Sequence, residues 1–242
     1  MTKLDIQSEP FAPFGNMSAN GIIKQLGSPT LQKTRVLVRE TVQNSDDARH
    51  RGDDARLPSY RIHLRTLNEA QSAFLRDKVI VDFSDKDPGF DQLRSSLDNQ
   101  RTKVLEISDW QTSGLGGPTR ADRPYDGPEP TDFIDFMRNI GSPQDKEMGG
   151  GTYGYGKSTL WLNSQCGTIC VHTSTRFQND PVERFMACRV GSTYDGEEKK
   201  HTGRHWWGRV AEDEIVDPME GEEAASFAAS LGMEGRPQGA SE

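Results

Sequence analysis

The sequence predicts an α/β domain, and three observations carry that prediction. Residues 30–51 place polar and apolar positions at helical spacing, and runs such as Tyr60-Arg61-Ile62-His63-Leu64-Arg65 alternate as half-buried strands do. A glycine cluster, Gly151-Thr152-Tyr153-Gly154-Tyr155-Gly156, then leads through Lys157 into Ser158-Thr159-Leu160-Trp161-Leu162, which reads as the opening of a helix.

The first helix organises the rest. At roughly 100° per residue, Glu40, Asn44, Asp47 and Ala48 project within about a quarter-turn of one another, and Leu31, Val38 and Val42 gather on the opposite side. Thr30 is the expected N-cap and Gly52 the expected stop. The apolar stripe calls for a sheet to cover it, and the polar stripe with its one small apolar member suggests a lined pocket. Taken alone, the same pattern also suits an ordinary amphipathic helix with its acids in water.

In chain order, residues 1–30 carry Pro10, Pro13, Gly15, Gly21, Gly27 and Pro29 and read as an irregular arm anchored by Phe11 and Phe14. After the helix, strands are expected at 60–65 and at Lys78-Val79-Ile80-Val81-Asp82-Phe83. A short helix follows with Phe90, Leu93 and Leu97 in register, and then a strand, 103–109, that delivers Asp109 at its end. Residues 114–151 are rich in glycine, proline and charge around Phe133-Ile134-Asp135-Phe136-Met137, and a segment of that kind is expected to be a functional lid, at about 118–150. Strands at 167–173, 184–190 and 206–210 follow. Ala224, Phe227, Ala228 and Leu231 then mark a terminal helix ahead of a polar tail.

Composition narrows the function classes. A chain of 242 residues is long enough to remove roughly 70 to 75 % of its unfolded surface from water as one domain. The net charge of -8 argues against broad binding of nucleic acid or anionic membrane, so any polyanion should be small and held by a dedicated site. Cys166, Cys170 and Cys188 form no paired spacing and read as free thiols, and no stretch has the pattern of a signal peptide or the length of a membrane span. A cytoplasmic protein is the expectation.

Three features recur in one order: Glu40, Asn44 and Asp47-Ala48 on a helix; Asp109 at a strand end followed by Gly114-Leu115-Gly116-Gly117; and Gly151 to Thr159 opening a helix. In these the chain resembles the GHKL ATPases, the family of the gyrase, heat-shock chaperone, histidine kinase and MutL nucleotide-binding domains, over roughly residues 30 to 190. The resemblance implies a two-layer α/β sandwich, its mixed and mostly antiparallel sheet covered by helices on one face, with ATP and Mg2+ as ligands. It implies an arm at 1–30, an ATP-binding domain at 31–216 and a terminal helix and tail at 217–242, the chain stopping short of the domain's last strand.

The resemblance also assigns roles. Asn44 would supply an amide oxygen to magnesium, which takes hard oxygen ligands and keeps several waters, and Glu40 would polarise the attacking water. Asp109 would accept a hydrogen bond from the adenine amino group, with Asp47, Ala48, Gly114 and Gly116 around the nucleotide. Gly151, Tyr153, Gly154, Tyr155, Gly156, Lys157, Ser158 and Thr159 would meet the phosphates, helped by the helix N-terminus. Phe133, Phe136 and Met137 would close over the nucleotide as part of the lid. The similarity is greatest to the MORC-like and chaperone-like branch, which implies an ATP-dependent homodimer and, for bacterial members, a partner nuclease or helicase in antiviral defence. Two departures from the family stand out: extra residues separate Asp109 from its glycines, and no late Gly-Thr pair is found.

Three other readings compete. Gly151 to Ser158 satisfies the P-loop pattern letter for letter, but residues 141–150 are polar where a P-loop needs an apolar strand. A nucleotide-gated interaction module with negligible turnover and a histidine-kinase-type catalytic domain are the others. Elsewhere, His201 and His205 read as a solvated turn rather than a metal pair, and Cys166 with Cys170 as buried thiols. Trp206-Trp207 reads as a strand at the core edge or an exposed partner-binding pair, and Glu212-Asp213-Glu214 as a solvated face.

Overall fold

The computed structural model describes residues 1–15, 32–50, 57–83, 90–99, 101–139, 155–196, 198–211 and 213–233, with the backbone alone for 155–157. The elements are β1 (Asp5–Pro10), α1 (Lys33–Asp47), β2 (Ser59–Thr66), α2 (Glu69–Phe74), α3 (Asp91–Leu97), β3 (Lys103–Trp110), α4 (Asp132–Met137), α5 (Tyr155–Asn163), β4 (Thr168–Phe177), β5 (Asp180–Val190), β6 (Tyr194–Asp195), β7 (Lys200–Val210), β8 (Val216–Asp217), β9 (Met219–Glu220) and α6 (Gly221–Ser230). The protein is thus mixed α/β. Among the described residues, seven strands form one antiparallel sheet along the path β1-β7-β5-β4, with β6 and β8 on β7 and β9 on β5, while β2 and β3 pair as a separate two-stranded antiparallel sheet, called the β2–β3 hairpin below although helices connect its strands.

Strand period explains how the sheet is buried. Successive residues of a strand face opposite ways. Phe185, Ala187 and Trp207 therefore enter one core with Phe90, Leu93, Leu97, Phe227 and Ala228, while Met186, Cys188 and Trp206 enter a second with Phe133, Met137 and Trp161. Helices α3 and α6 cover the first face, and α4 and α5 the second. This corrects the expectation of helices on one face only, because Phe185 through Cys188 are all buried and leave β5 no solvent side. Each tryptophan also fixes the segment above it: Trp207 Nε1 donates to Val81 O at 2.8 Å, and Trp206 Nε1 donates to Met137 O at 2.8 Å. The pair is neither an exposed patch nor a core edge.

Several elements differ from expectation for identifiable reasons. Part of the supposed arm is β1, which pairs with β7 through Asp5 to Ser8; residues 16–30 lie outside the described residues. The apolar run at 78–83 is not a strand. Asn68 and Gln71 form a reciprocal capping box that starts α2, and the chain continues into a π-helical turn, Leu75–Val79, so Val79, Ile80 and Val81 enter the core from a helix end. A short continuous apolar run carries no period of its own, so the cap decides its structure.

The lid expectation also changes over 118–139; residues 140–150 lie outside the described residues. Arg120 pairs with Asp217 at 2.7 Å and with Asp213 at 2.6 Å, and Arg138 donates to Val216 O at 2.5 Å, which fastens this stretch to the corner between β7 and β8. Phe133 and Met137 are buried in the second core rather than poised to close over a ligand. Asp213 is accordingly an ion-pair partner, not part of a free solvated face. Among the described residues no helix is long and apolar enough to cross a membrane.

His201 and His205 lie on β7 rather than on a solvated turn, and His205 is wholly buried against Phe90 and Tyr194 with Ser8 Oγ at 2.9 Å from its Nδ1. Burial, with Arg189 and His201 nearby, lowers its pKa to about 3. The folded chain thus holds this imidazole neutral, while the unfolded chain protonates it near pH 6.5, so stability must fall as pH drops below that value. Urea unfolding between pH 7 and 5 should show up to about 1.4 kcal/mol lost per pH unit below 6.5. His205→Phe should flatten that slope; an unchanged slope would show that the imidazole is not responsible.

Candidate functional site

The candidate site is built from α1, the end of β3 with its following loop, and the start of α5. Along α1 the inward arc is Val36, Leu37, Glu40, Thr41 and Ser45, and Glu40 is 7 % exposed. The predicted polar stripe lies within this arc. It is buried at Glu40 and opens towards the helix end, where Asn44 and Asp47 are exposed and Ala48 is half-buried as the C-cap. The opposite stripe fails as a core face: Val38 and Val42 are 39 % and 43 % exposed, and Leu31, like Thr30 and Gly52, lies outside the described residues.

Hydroxyls tie this helix to the β2–β3 hairpin. Thr41 donates to Leu37 O at 2.7 Å and so accepts from the Tyr60 phenol, which lies 2.5 Å away. Ser45 Oγ lies 2.7 Å from Asp109 Oδ2, and Thr112 Oγ1 donates to Oδ1 of the same carboxylate at 3.0 Å. Tyr60 and Asp109 are direct cross-strand partners, and burial, followed by the Asp109 charge, holds the phenol above its ordinary pKa despite its bond to Thr41. Each Asp109 oxygen has accepted one hydrogen bond and keeps capacity for another. The carboxylate is therefore oriented and still able to receive an N–H donor.

The loop after β3 runs back along α1, with Ser113 N donating to Ala48 O at 2.8 Å. It then lies on β4. Thr175 Oγ1 donates to Ser113 O at 2.7 Å, and Leu115 N donates to Thr173 Oγ1 at 2.9 Å. Gly114 has φ +65°, and a Cβ there would come within 2.6 Å of Ser174 O, so both conformation and contact demand glycine. Asp109 and Gly114 are thus joined by a tethered loop, despite the extra residues between them.

Helix α5 packs against α1 and begins at Tyr155, three residues earlier than expected. Ser158 and Thr159 are buried, and Thr159 Oγ1 is engaged by Asn163 of its own helix at 3.2 Å, so these two hydroxyls lie at a packed surface rather than on an open phosphate loop. Gly151, Tyr153 and Gly154 lie outside the described residues, and so do the side chains of Tyr155 and Lys157; Gly156 is placed within α5.

Glu40 is ion-paired to Arg39 at 2.6 Å. Among the described residues no group of His, Cys, Asp and Glu side chains is placed to hold a metal ion. The exposed Asn44 amide fits magnesium only in the manner of a single protein oxygen completed by ligand oxygens and water.

Sequence reasoning missed Thr41, Ser45, Tyr60, Thr112, Thr173, Thr175 and Arg184. A signal for two of them was present: on β4 the row facing the second core runs Ile169, Val171, Thr173, Thr175, changing from apolar to hydroxyl where the glycine loop takes over from the helices.

Thr41→Val and Ser45→Ala should each cost about 1–2 kcal/mol in urea unfolding and speed hydrogen exchange over 41–48, because each removes a bond between α1 and the hairpin. Unchanged exchange in both variants would mean that packing alone holds the helix. Compared with models of known protein families, with curated proteins and with solved structures, the chain matches none.

Proposed function

We propose that the protein binds ATP with magnesium in the recess bordered by α1, Asp109 with its loop, and α5, and that it hydrolyses the nucleotide slowly as a conformational or dimerisation switch. The observation that carries this reading is the Ser45–Asp109 hydrogen bond, which brings the carboxylate of the second sequence motif onto the helix of the first. Sequence spacing alone gives no reason for residues 64 positions apart to meet there.

Each residue then has a definable task. Asp109, oriented by Ser45 and Thr112, accepts the exocyclic amino group of adenine and disfavours guanine, which presents a carbonyl at that edge. Asn44, exposed one turn beyond Glu40, supplies a neutral oxygen near the phosphates. Magnesium bound there would neutralise phosphate charge and orient the terminal phosphoryl group. Glu40, acting as general base, must exchange its contact with Arg39 for a water, and Arg39 can release it at little cost because its own side chain is 58 % exposed.

That ion pair is also what favours a second reading, a nucleotide-gated interaction module with negligible turnover. In this alternative Glu40 stays paired, and association with a second copy or a partner protein is the output.

Calorimetric titration of Mg-ATP should show binding to the wild-type chain and a loss of at least tenfold in Asp109→Asn, the size expected for a charge-assisted hydrogen bond. Loss in Lys157→Ala with normal binding in Asp109→Asn would favour the P-loop alternative instead. Glu40→Gln should retain binding while phosphate release falls by about 10²-fold or more. Wild-type turnover no faster than that of Glu40→Gln would select the gated module.

A further inference from the structure

Arg184, on β5, is a buried cation that the nucleotide reading leaves without a task. Its side chain is 2 % exposed, it pairs with Glu220 at 2.8 Å, and its guanidinium carbon lies 5.2 Å from the Phe133 ring centroid and 5.5 Å from that of Phe177. Taking a guanidinium out of water is expensive, and an apolar side chain of similar volume would fill the same space without that cost. What an apolar side chain could not do is donate. Arg184 Nη1 donates to Gly117 O at 2.8 Å and lies 3.4 Å from Leu115 O.

Those two carbonyls belong to the loop that follows Asp109. The described peptides are trans, so a carbonyl drawn towards β5 turns the N–H of the same peptide the opposite way. Holding Leu115 O inward therefore directs the Gly116 N–H away from Arg184, while Gly116 O is taken by Phe133 N at 3.0 Å. Gly116 is buried, yet its N–H donates to none of the described residues. A buried backbone donor without a partner among the described residues is the kind of group that a bound ligand or water satisfies. Thr173, the cross-strand partner of Arg184, holds the same stretch of loop by accepting from Leu115 N.

We propose that Arg184 is the positioning residue of the nucleotide site, contacting no ligand but fixing the Leu115–Gly117 loop so that the Gly116 N–H is turned towards the bound nucleotide. This rests on the ATP reading above. The same guanidinium reaches Glu220, the residue at the N-terminal boundary of α6, so one cation links the loop on one face of the sheet to the start of the helix on the other.

The test is Mg-ATP titration into wild type, Arg184→Met, Arg184→Lys, Thr173→Val and Phe227→Leu, the last thinning the opposite core as a stability control, with thermal unfolding of each. Arg184→Met should bind ATP about tenfold more weakly, the size expected when buried partners lose their donor, and Thr173→Val should weaken binding in the same direction. Arg184→Lys should recover part of the loss, because an ammonium can reach one of the two carbonyls. Phe227→Leu should bind as wild type does even where its unfolding temperature falls further. ATP affinity unchanged in both Arg184→Met and Thr173→Val, or an equal loss in Phe227→Leu, would overturn the proposal while leaving the nucleotide reading intact. Absence of ATP binding by the wild-type chain would overturn both.

Discussion

Strands β5 and β7 have no solvent face where they cross, and the rest of the chain is arranged around that fact. Phe185, Met186, Ala187 and Cys188 are each fully buried, and Trp206 and Trp207 point into opposite cores. Two large aromatic side chains in succession on one strand cannot share a face, and each offers on the order of 150–250 Å² of surface to bury. Cover is therefore required on both sides. The indole N–H groups add direction to this demand, since a buried donor needs an acceptor at a defined place. The carbonyls of Met137 and Val81 answer it, one from α4 and the other from beyond the π-helical turn.

The candidate site follows from which face receives which cover. Along β4 and β5 the row Val171–Met186 lies in the apolar core, and the next pair, Thr173–Arg184, is polar. The core ends there, and the Ser113–Gly117 loop, which has no secondary structure to satisfy its backbone, is held by those polar side chains instead. Its shape is set by the sheet, so Asp109 is presented from a fixed platform. The cysteine within this core is a packing residue: burial pushes the Cys188 thiol up to about 12, which removes it from nucleophilic chemistry at neutral pH.

How much of this the sequence disclosed depended on whether a residue's role is periodic. Strands β2, β3, β4 and β5 and helix α6 were legible because alternation or helical spacing runs through them. The contact between Glu40's helix and Asp109 was suggested only by family resemblance, since nothing local in either segment names the other. The Lys78–Phe83 run misled because its apolar residues have no period and a cap ten residues upstream governs them. Nothing local to Arg120, Arg138 or Arg184 marks it for burial. Their burial depends on Asp213, Asp217 and Glu220, acids 36 to 97 positions away.

Helix α1 shows the same limit in its sharpest form, because its apolar residues are divided between two faces. Glu40, Thr41 and Ser45 are turned inward beside Val36 and Leu37, while Val38 and Val42 remain exposed. Turning the helix to hide those two valines would expose Val36 and Leu37 instead, so apolar burial alone does not choose the setting. Directional bonds oppose that turn: Thr41 to Tyr60 and Ser45 to Asp109 exist in one rotational setting only, and the packing against α5 agrees with it. The rotational setting of α1 is therefore chosen by polar contacts on a helix whose apolar burial leaves it undecided. Glu40 is buried as a consequence of that setting, and Asn44 and Asp47 continue its stripe to the exposed end of the helix.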